Sequence, residues 1–195
     1  MRFADPERLE HELVVGDGRD EPLIAEHPEI PAEHALQGFA GVRAYSDDPG
    51  RSGLMLEEVL GARPVADCEW ELRGDRRGST IAYDPAPPEP GRQSAGIVHH
   101  VAWGTTVAEH PRCLEHLLAA GVQSTAVIDR HYFHSIYFPE PSGVLFEIAD
   151  DGPGFAVDGP LEELGSELIL PPFLEPHRER IEAALLPIPH PRALR

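Results

Sequence analysis

Cysteine is scarce in this 195-residue chain: Cys68 and Cys113 are the two present, and they fall in different candidate elements. With no Cys cluster, a finger-type structural zinc site is excluded. One disulfide is a use for the pair, and a reducing compartment explains them more simply. Long apolar runs are missing as well. Nothing approaches the roughly 18 residues needed to span a bilayer, and no signal-peptide pattern follows Met1 and Arg2. The expectation is therefore a cytoplasmic protein with no membrane partner. Basic residues are few, 16 against 34 acidic ones, for a formal charge of −18. The acids are spread along the chain, so there is no basic stripe for a nucleic acid, and the charge reads as solubility. What is present in excess is histidine, at 11, a mild hint of metal or proton chemistry. A 41% hydrophobic content is ordinary for a globular chain. The length suits one domain or two small modules sharing a core.

One pattern of elements runs twice between Gly38 and Asp150. The first pass opens with a strand, Phe39 to Tyr45. A helix follows with Leu54, Leu56, Val59 and Leu60, stopped by Gly61, and then strands that include Val65–Leu72 and Ser79–Asp84. The second pass opens with Ile97 to Trp103. Its helix starts near Pro111, carries Leu114, Leu117 and Leu118 on one face, and ends at Gly121. Strands follow at Val122–Ile128, Tyr132–Phe138 and Val144–Ala149. Pro85, Pro87, Pro88 and Pro90 mark a linker over Pro85–Gly91. The expected fold class is α+β, two βαβββ modules at residues 37–85 and 96–150 within a domain at 37–152. Residues 1–36 read as a closing strand (Leu9 to Val15) plus loop. Residues 153–195 read as an extension ending in a helix, Glu175 to Leu186, packed on the sheet.

Two strands carry candidate chemistry. Alternation puts Val98, His100 and Ala102 on one face of Ile97–Trp103, and a lone strand histidine is a structural residue more often than a ligand. Glu147 stands between Phe146 and Ile148 in an apolar strand. A buried carboxylate costs several kcal/mol unless it is paired, protonated or bound to a metal. The turn Pro139–Gly143 brings Ser135 opposite Glu147, with Tyr137 as a diagonal neighbour on the same face. Taken alone, Tyr137 is a core aromatic whose hydroxyl reaches a partner.

The doubled pattern, with His100-Val101-Ala102 on a first strand and Phe146-Glu147-Ile148 on a last strand, resembles the vicinal-oxygen-chelate superfamily of glyoxalases, bleomycin-resistance proteins and dioxygenases. Asp129 to Glu147, followed by Asp150-Asp151-Gly152-Pro153-Gly154-Phe155, is similar to ring-cleaving dioxygenases of the hydroquinone-resistance type. The run Ile136-Tyr137-x-x-Glu140-Pro141-x-Gly143-x-x-x-Glu147 satisfies the later part of the extradiol dioxygenase pattern. This resemblance implies an open, curled mixed β-barrel. It implies His100 and Glu147 as ligands of a divalent metal, Fe(II) first, with Mn(II), Zn(II) and Ni(II) as alternatives. It implies Tyr137 bonding a metal-bound phenolic oxygen and His131 as an acid/base. His131 falls slightly too close to Tyr137 for the pattern, and His134, on the opposite face from Tyr137, reads as structural.

Departures from the pattern matter. Gly41-Val42-Arg43 occupies the place of His100-Val101-Ala102, and Thr80-Ile81-Ala82 that of Glu147-Ile148-Ala149, so the first repeat reads as scaffold. Phe3 to Val14 resembles the last strand of a further module, with Glu12 matching Glu147. The expectation is a chain that begins at the end of a missing half. The third ligand then lies on absent sequence, on a partner chain or a second copy, or on His11 or Glu12. The expected partners are a small aromatic substrate and O₂. The leading function is ring cleavage of hydroquinone or catechol-like compounds; the alternatives are a glyoxalase-like chelate enzyme or a non-catalytic binding protein.

Overall fold

The computed structural model describes residues 1–187 except 17, 26, 90, 93, 95 and 96. Residue 90 of the expected linker and residue 96, the expected start of the second module, therefore lie outside the described residues. The chain forms two units, Met1–Val101 with Pro139–Phe146, and Ala102–Phe138 with Glu147–Arg195.

The first unit opens with a hairpin, β1 (Arg2–Ala4) and β2 (Glu10–Glu12), antiparallel with Phe3 opposite His11. The expected closing strand is thus shorter and folds back on the chain's own start. Next come β3 (Gly41–Ser46), α1 (Pro49–Glu58), β4 (Arg63–Ala66), β5 (Glu69–Arg73) and β6 (Gly78–Pro85). They build a sheet in the order β3-β6-β5-β4, with β3 parallel to β6 and the other pairs antiparallel. The expected strand Val65–Leu72 is two strands. Asp67 and Cys68 turn the chain between them, with Cys68 at φ +55, so that Pro64 comes opposite Trp70 and Arg63 opposite Glu71.

Helix α1 starts at Pro49, whose missing N–H costs nothing in a first turn, and Gly61 leaves it at φ +69. It buries Ser52, Gly53, Met55 and Leu56, while Leu54 is 66% exposed. At 100° per residue Leu54 lies about 200° from both Ser52 and Leu56, on the opposite face. Gly53 sets the packing distance: a Cβ there would stand 2.5 Å from Trp70 Cζ2, so only glycine lets the helix lie against that indole. Trp70 Nε1 donates to Glu57 at 2.8 Å. Ala62, Trp70, Ile81, Ala82 and Tyr83 complete this core.

The second sheet runs β7-β10-β9-β8, from β7 (Val101–Gly104), β8 (Ile128–Asp129), β9 (His134–Pro139) and β10 (Leu145–Ala149). Helix α2 (His110–Ala119) joins β7 to β8, with Pro111 in its first turn and Gly121 beyond its end at φ +75. It buries His110 and Leu117, and Leu118 faces out. Both modules therefore read strand–helix–strand–strand–strand, and the α+β expectation holds. Ile97–Val98 stay outside β7 and are exposed, which shortens the expected strand to its last residues plus Gly104. The long strand expected at Val122–Ile128 contributes only its end.

Three 3-10 turns follow β10, at Phe155–Asp158, Leu161–Glu163 and Glu175–His177, before α3 (Arg178–Ala184). The expected terminal helix is thus shorter, because its first turn is 3-10 and Leu185 is extended. None of the residues of α3 is buried, so its packing is lighter than its apolar positions suggested. No helix among the described residues is long and apolar enough to cross a membrane.

Candidate functional site

Strand β10 presents Glu147 between Phe146 and Ile148, and all three side chains are buried. Ser135 and Tyr137 project from β9 with the spacing of two that keeps them on one face. The Ser135 hydroxyl donates to Glu147 Oε1, and the Tyr137 hydroxyl donates to the same oxygen at 2.8 Å. The expected trio thus meets at one carboxylate oxygen. Burial pushes the Tyr137 phenol up; the Ser135 hydroxyl draws it down, and the Glu147 carboxylate raises it further. Tyr137 therefore stays a protonated donor at neutral pH. The Arg130 guanidinium lies 5.7 Å from the centre of its ring, a cation–π distance.

His131 sits in the turn between β8 and β9 at φ +75, in left-handed backbone rare for a side-chain-bearing residue. Its backbone N–H donates to Asp129 Oδ1 at 2.7 Å, and its ring Nε2 lies 2.8 Å from Asp158 Oδ1. His134 is held elsewhere. Asp150 accepts from its backbone N–H at 2.9 Å and meets its Nδ1 at 3.0 Å. Burial pushes the Asp150 carboxyl up, but hydrogen bonds from the His134 and Gly152 backbone and the His134 ring together hold it below the usual range. The role this geometry gives His134 is structural, as expected.

His100 lies just before β7 rather than within it, half-buried, with its Nδ1 2.9 Å from Nδ1 of the exposed His99. The alternation argument therefore does not apply to it, since only Val101 to Gly104 join the ladder. In the first module Gly41 pairs with Thr80, and any side chain at Gly41 would collide with Thr80. That backbone approach suits scaffold rather than ligation. Glu12 pairs with Arg2 at 3.3 Å on the exposed hairpin, and His11 stacks on Phe3 at 5.3 Å.

Glu140 is the group that the residue pattern did not single out for a role. It is buried and accepts from Ser52 Oγ at 2.6 Å, Tyr83 OH at 3.2 Å and the Val144 backbone at 3.0 Å. Ser142 extends the chain of hydroxyls to Ser46 at 2.6 Å. Burial and the Glu140 charge push the Tyr83 phenol strongly up. A glutamate between two prolines at a turn, with small hydroxyl residues in a helix upstream, is the signal that was available. Only the fold joins Ser52 to Glu140.

Among the described residues no group of three or more His, Cys, Asp and Glu side chains converges as a metal-donor set. Glu147 offers one buried carboxylate. The described residues thus do not by themselves complete a divalent-metal site.

Paired βαβββ modules with a glutamate on the last strand define a class. Residues 38–148 match the Glyoxalase/Bleomycin resistance protein/Dioxygenase superfamily, and the chain belongs to it. Within that class it is 36% identical, over 96% of its length, to "Putative ring-cleaving dioxygenase MhqO" of Bacillus subtilis (strain 168). It is 30% identical, over 82% of its length, to the chlorohydroquinone/hydroquinone 1,2-dioxygenase of Sphingobium indicum. The chain spans 61% and 51% of those two proteins. A crystal structure described as a putative dioxygenase from Bacillus subtilis superposes with a TM-score of 0.84 at 35% identity, over 96% of this chain and 62% of that one.

Proposed function

We propose that this chain is the Glu147-bearing portion of a ring-cleaving dioxygenase acting with O₂ on hydroquinone- or catechol-like aromatics. The observation that carries the reading is the buried Glu147 carboxylate, gripped by Ser135 and Tyr137 on a β-strand face. The similarity to proteins named for ring cleavage supports it. Glu147 and His100 are the proposed donors to a divalent cation, Fe(II) ahead of Mn(II), Zn(II) and Ni(II). The remaining donor comes from His11 or Glu12, from a partner chain or from a second copy.

Each side chain has a task that its surroundings support. Tyr137, kept protonated, turns its hydroxyl from Glu147 Oε1 to donate to a phenolic oxygen arriving beside that carboxylate. His131 accepts or returns the phenol proton. A bound metal would supply Lewis acidity to the phenol. Cys68 and Cys113 are both free thiols, in keeping with the proposed cytoplasmic location.

Metal analysis of the full chain after Fe(II) loading is the test, alongside oxygen uptake with substituted hydroquinones. The expected result is stoichiometric metal that falls in Glu147→Gln and in His100→Ala. An assembled protein, partner or second copy included, that takes up no metal, or whose content is the same in both variants, overturns the reading. With no three-donor set among the described residues, one other reading stands beside it, a non-catalytic binding protein of the same superfamily. Aromatic binding by calorimetry without oxygen uptake would support that instead. Methylglyoxal–thiol turnover would mark a glyoxalase-type enzyme.

A further inference from the structure

The tail after β10 does more than end the chain. Gly154 N–H donates to the Tyr132 carbonyl at 2.8 Å, and the Phe155 ring lies 5.1 Å from that of Tyr132. These contacts hook the 3-10 turn Phe155–Asp158 onto the turn that carries His131. Asp158, its last residue, is thereby brought to face His131. His131 Nε2 lies 2.8 Å from Oδ1 of its carboxylate. The Tyr132 hydroxyl first, and His131 second, hold the Asp158 carboxyl below its usual range, so it is a carboxylate at neutral pH. The His131 ring is also braced edge-on by Tyr132 at 4.8 Å, and its backbone is tied to Asp129.

A carboxylate has no proton to donate, so the nitrogen facing it must carry one. A neutral imidazole has a single N–H, and placing it on one nitrogen leaves the other as the acceptor. We propose that Asp158 is a positioning residue that holds His131 in the Nε2–H tautomer and thereby makes Nδ1 its proton-accepting atom. The step from tautomer to proton transfer rests on the reading of His131 as the acid/base. The tautomer itself does not.

Replacement by asparagine reverses the demand. In Asp158→Asn the carboxylate's demand for a proton on Nε2 is gone, and an amide NH₂ turned toward Nε2 drives the imidazole proton to Nδ1. The logic is that of the serine-protease aspartate, where the same change leaves geometry intact and gives the wrong tautomer.

Long-range ¹H–¹⁵N correlation of the full-length labelled chain, above the imidazole titration range, reads the tautomer directly. The expected wild-type pattern is a protonated Nε2 and an unprotonated Nδ1 at His131. Asp158→Asn should move the proton to Nδ1, wholly or in large part. Tyr132→Phe, which keeps the carboxylate, and Asp158→Glu should retain the wild-type pattern. A wild-type Nδ1–H tautomer, or an unchanged pattern in folded Asp158→Asn, overturns the proposal. The wild-type spectrum alone can overturn it should the variant not fold. Turnover separates the two claims. If the wild-type chain cleaves no hydroquinone in its assembled form, the acid/base reading fails while the NMR result still decides the tautomer. Where it does turn over, Asp158→Asn should lower kcat by about 10²-fold with KM little changed; an unchanged kcat overturns the positioning role.

Discussion

Tyr137 and Ser135 donate to the same oxygen of Glu147, Oε1, so the carboxylate's orientation is set from one side by two hydroxyls two residues apart on β9. Removing either leaves the other in place. Ser135→Ala and Tyr137→Phe should each destabilise by about 1–3 kcal/mol, because a buried carboxylate loses a donor. The double variant should lose more than the sum, since the surviving hydroxyl compensates in each single variant. Urea unfolding of the four proteins measures this cycle.

Glu140 ties Ser52 and Tyr83 to the turn that precedes the Glu147 strand. Glu140→Ala leaves two buried hydroxyls and a part-buried backbone N–H without their acceptor, at a cost of about 1–3 kcal/mol for each donor left unsatisfied. Glu140→Gln keeps an acceptor and should cost about half as much. Denaturation midpoints of the two variants, compared with wild type, test the ranking.

Asp20 is drawn down to about 2 by Arg73, with help from the Gly78 backbone N–H and against the burial that raises it. Its depressed pKa means that the folded state prefers the ionised form more than the unfolded chain does. The stabilisation is complete above the ordinary aspartate value near 4. It is lost as pH falls through about 2. Melting temperature followed from pH 5 downward should fall less steeply in Asp20→Asn than in wild type. Parallel curves would remove Asp20 from the acid-sensitive groups.

Gly53→Ala introduces a Cβ 2.5 Å from Trp70 Cζ2. The helix or the indole must shift, at a cost of about 1–3 kcal/mol typical of overpacked cores. The change should also alter Trp70 fluorescence, since its Nε1 bond to Glu57 depends on the same packing. Stability equal to wild type would mean that the site accommodates the methyl group.

Local chemistry, read from the sequence alone, determined the doubled βαβββ order, the helix stops at Gly61 and Gly121, and the meeting of Glu147 with Ser135 and Tyr137. All three follow from short-range rules: period two in strands, left-handed glycine at helix ends, and a five-residue turn that sets the register. What only the tertiary structure decided involves partners far apart in the chain. The division of Val65–Leu72 into a hairpin needed Cys68 in left-handed backbone, which no periodicity signals. His100 lies outside β7 because the ladder stops at Val101, which depends on the neighbouring strand and not on alternation. Asp158 was read as part of an extension, yet it faces His131, 27 positions earlier. Glu140 meets Ser52 across 88 positions. Sequence spacing reports which residues share a face; it does not report which distant segment folds over that face, because such contacts are set by the closing of long loops and the packing of the whole core.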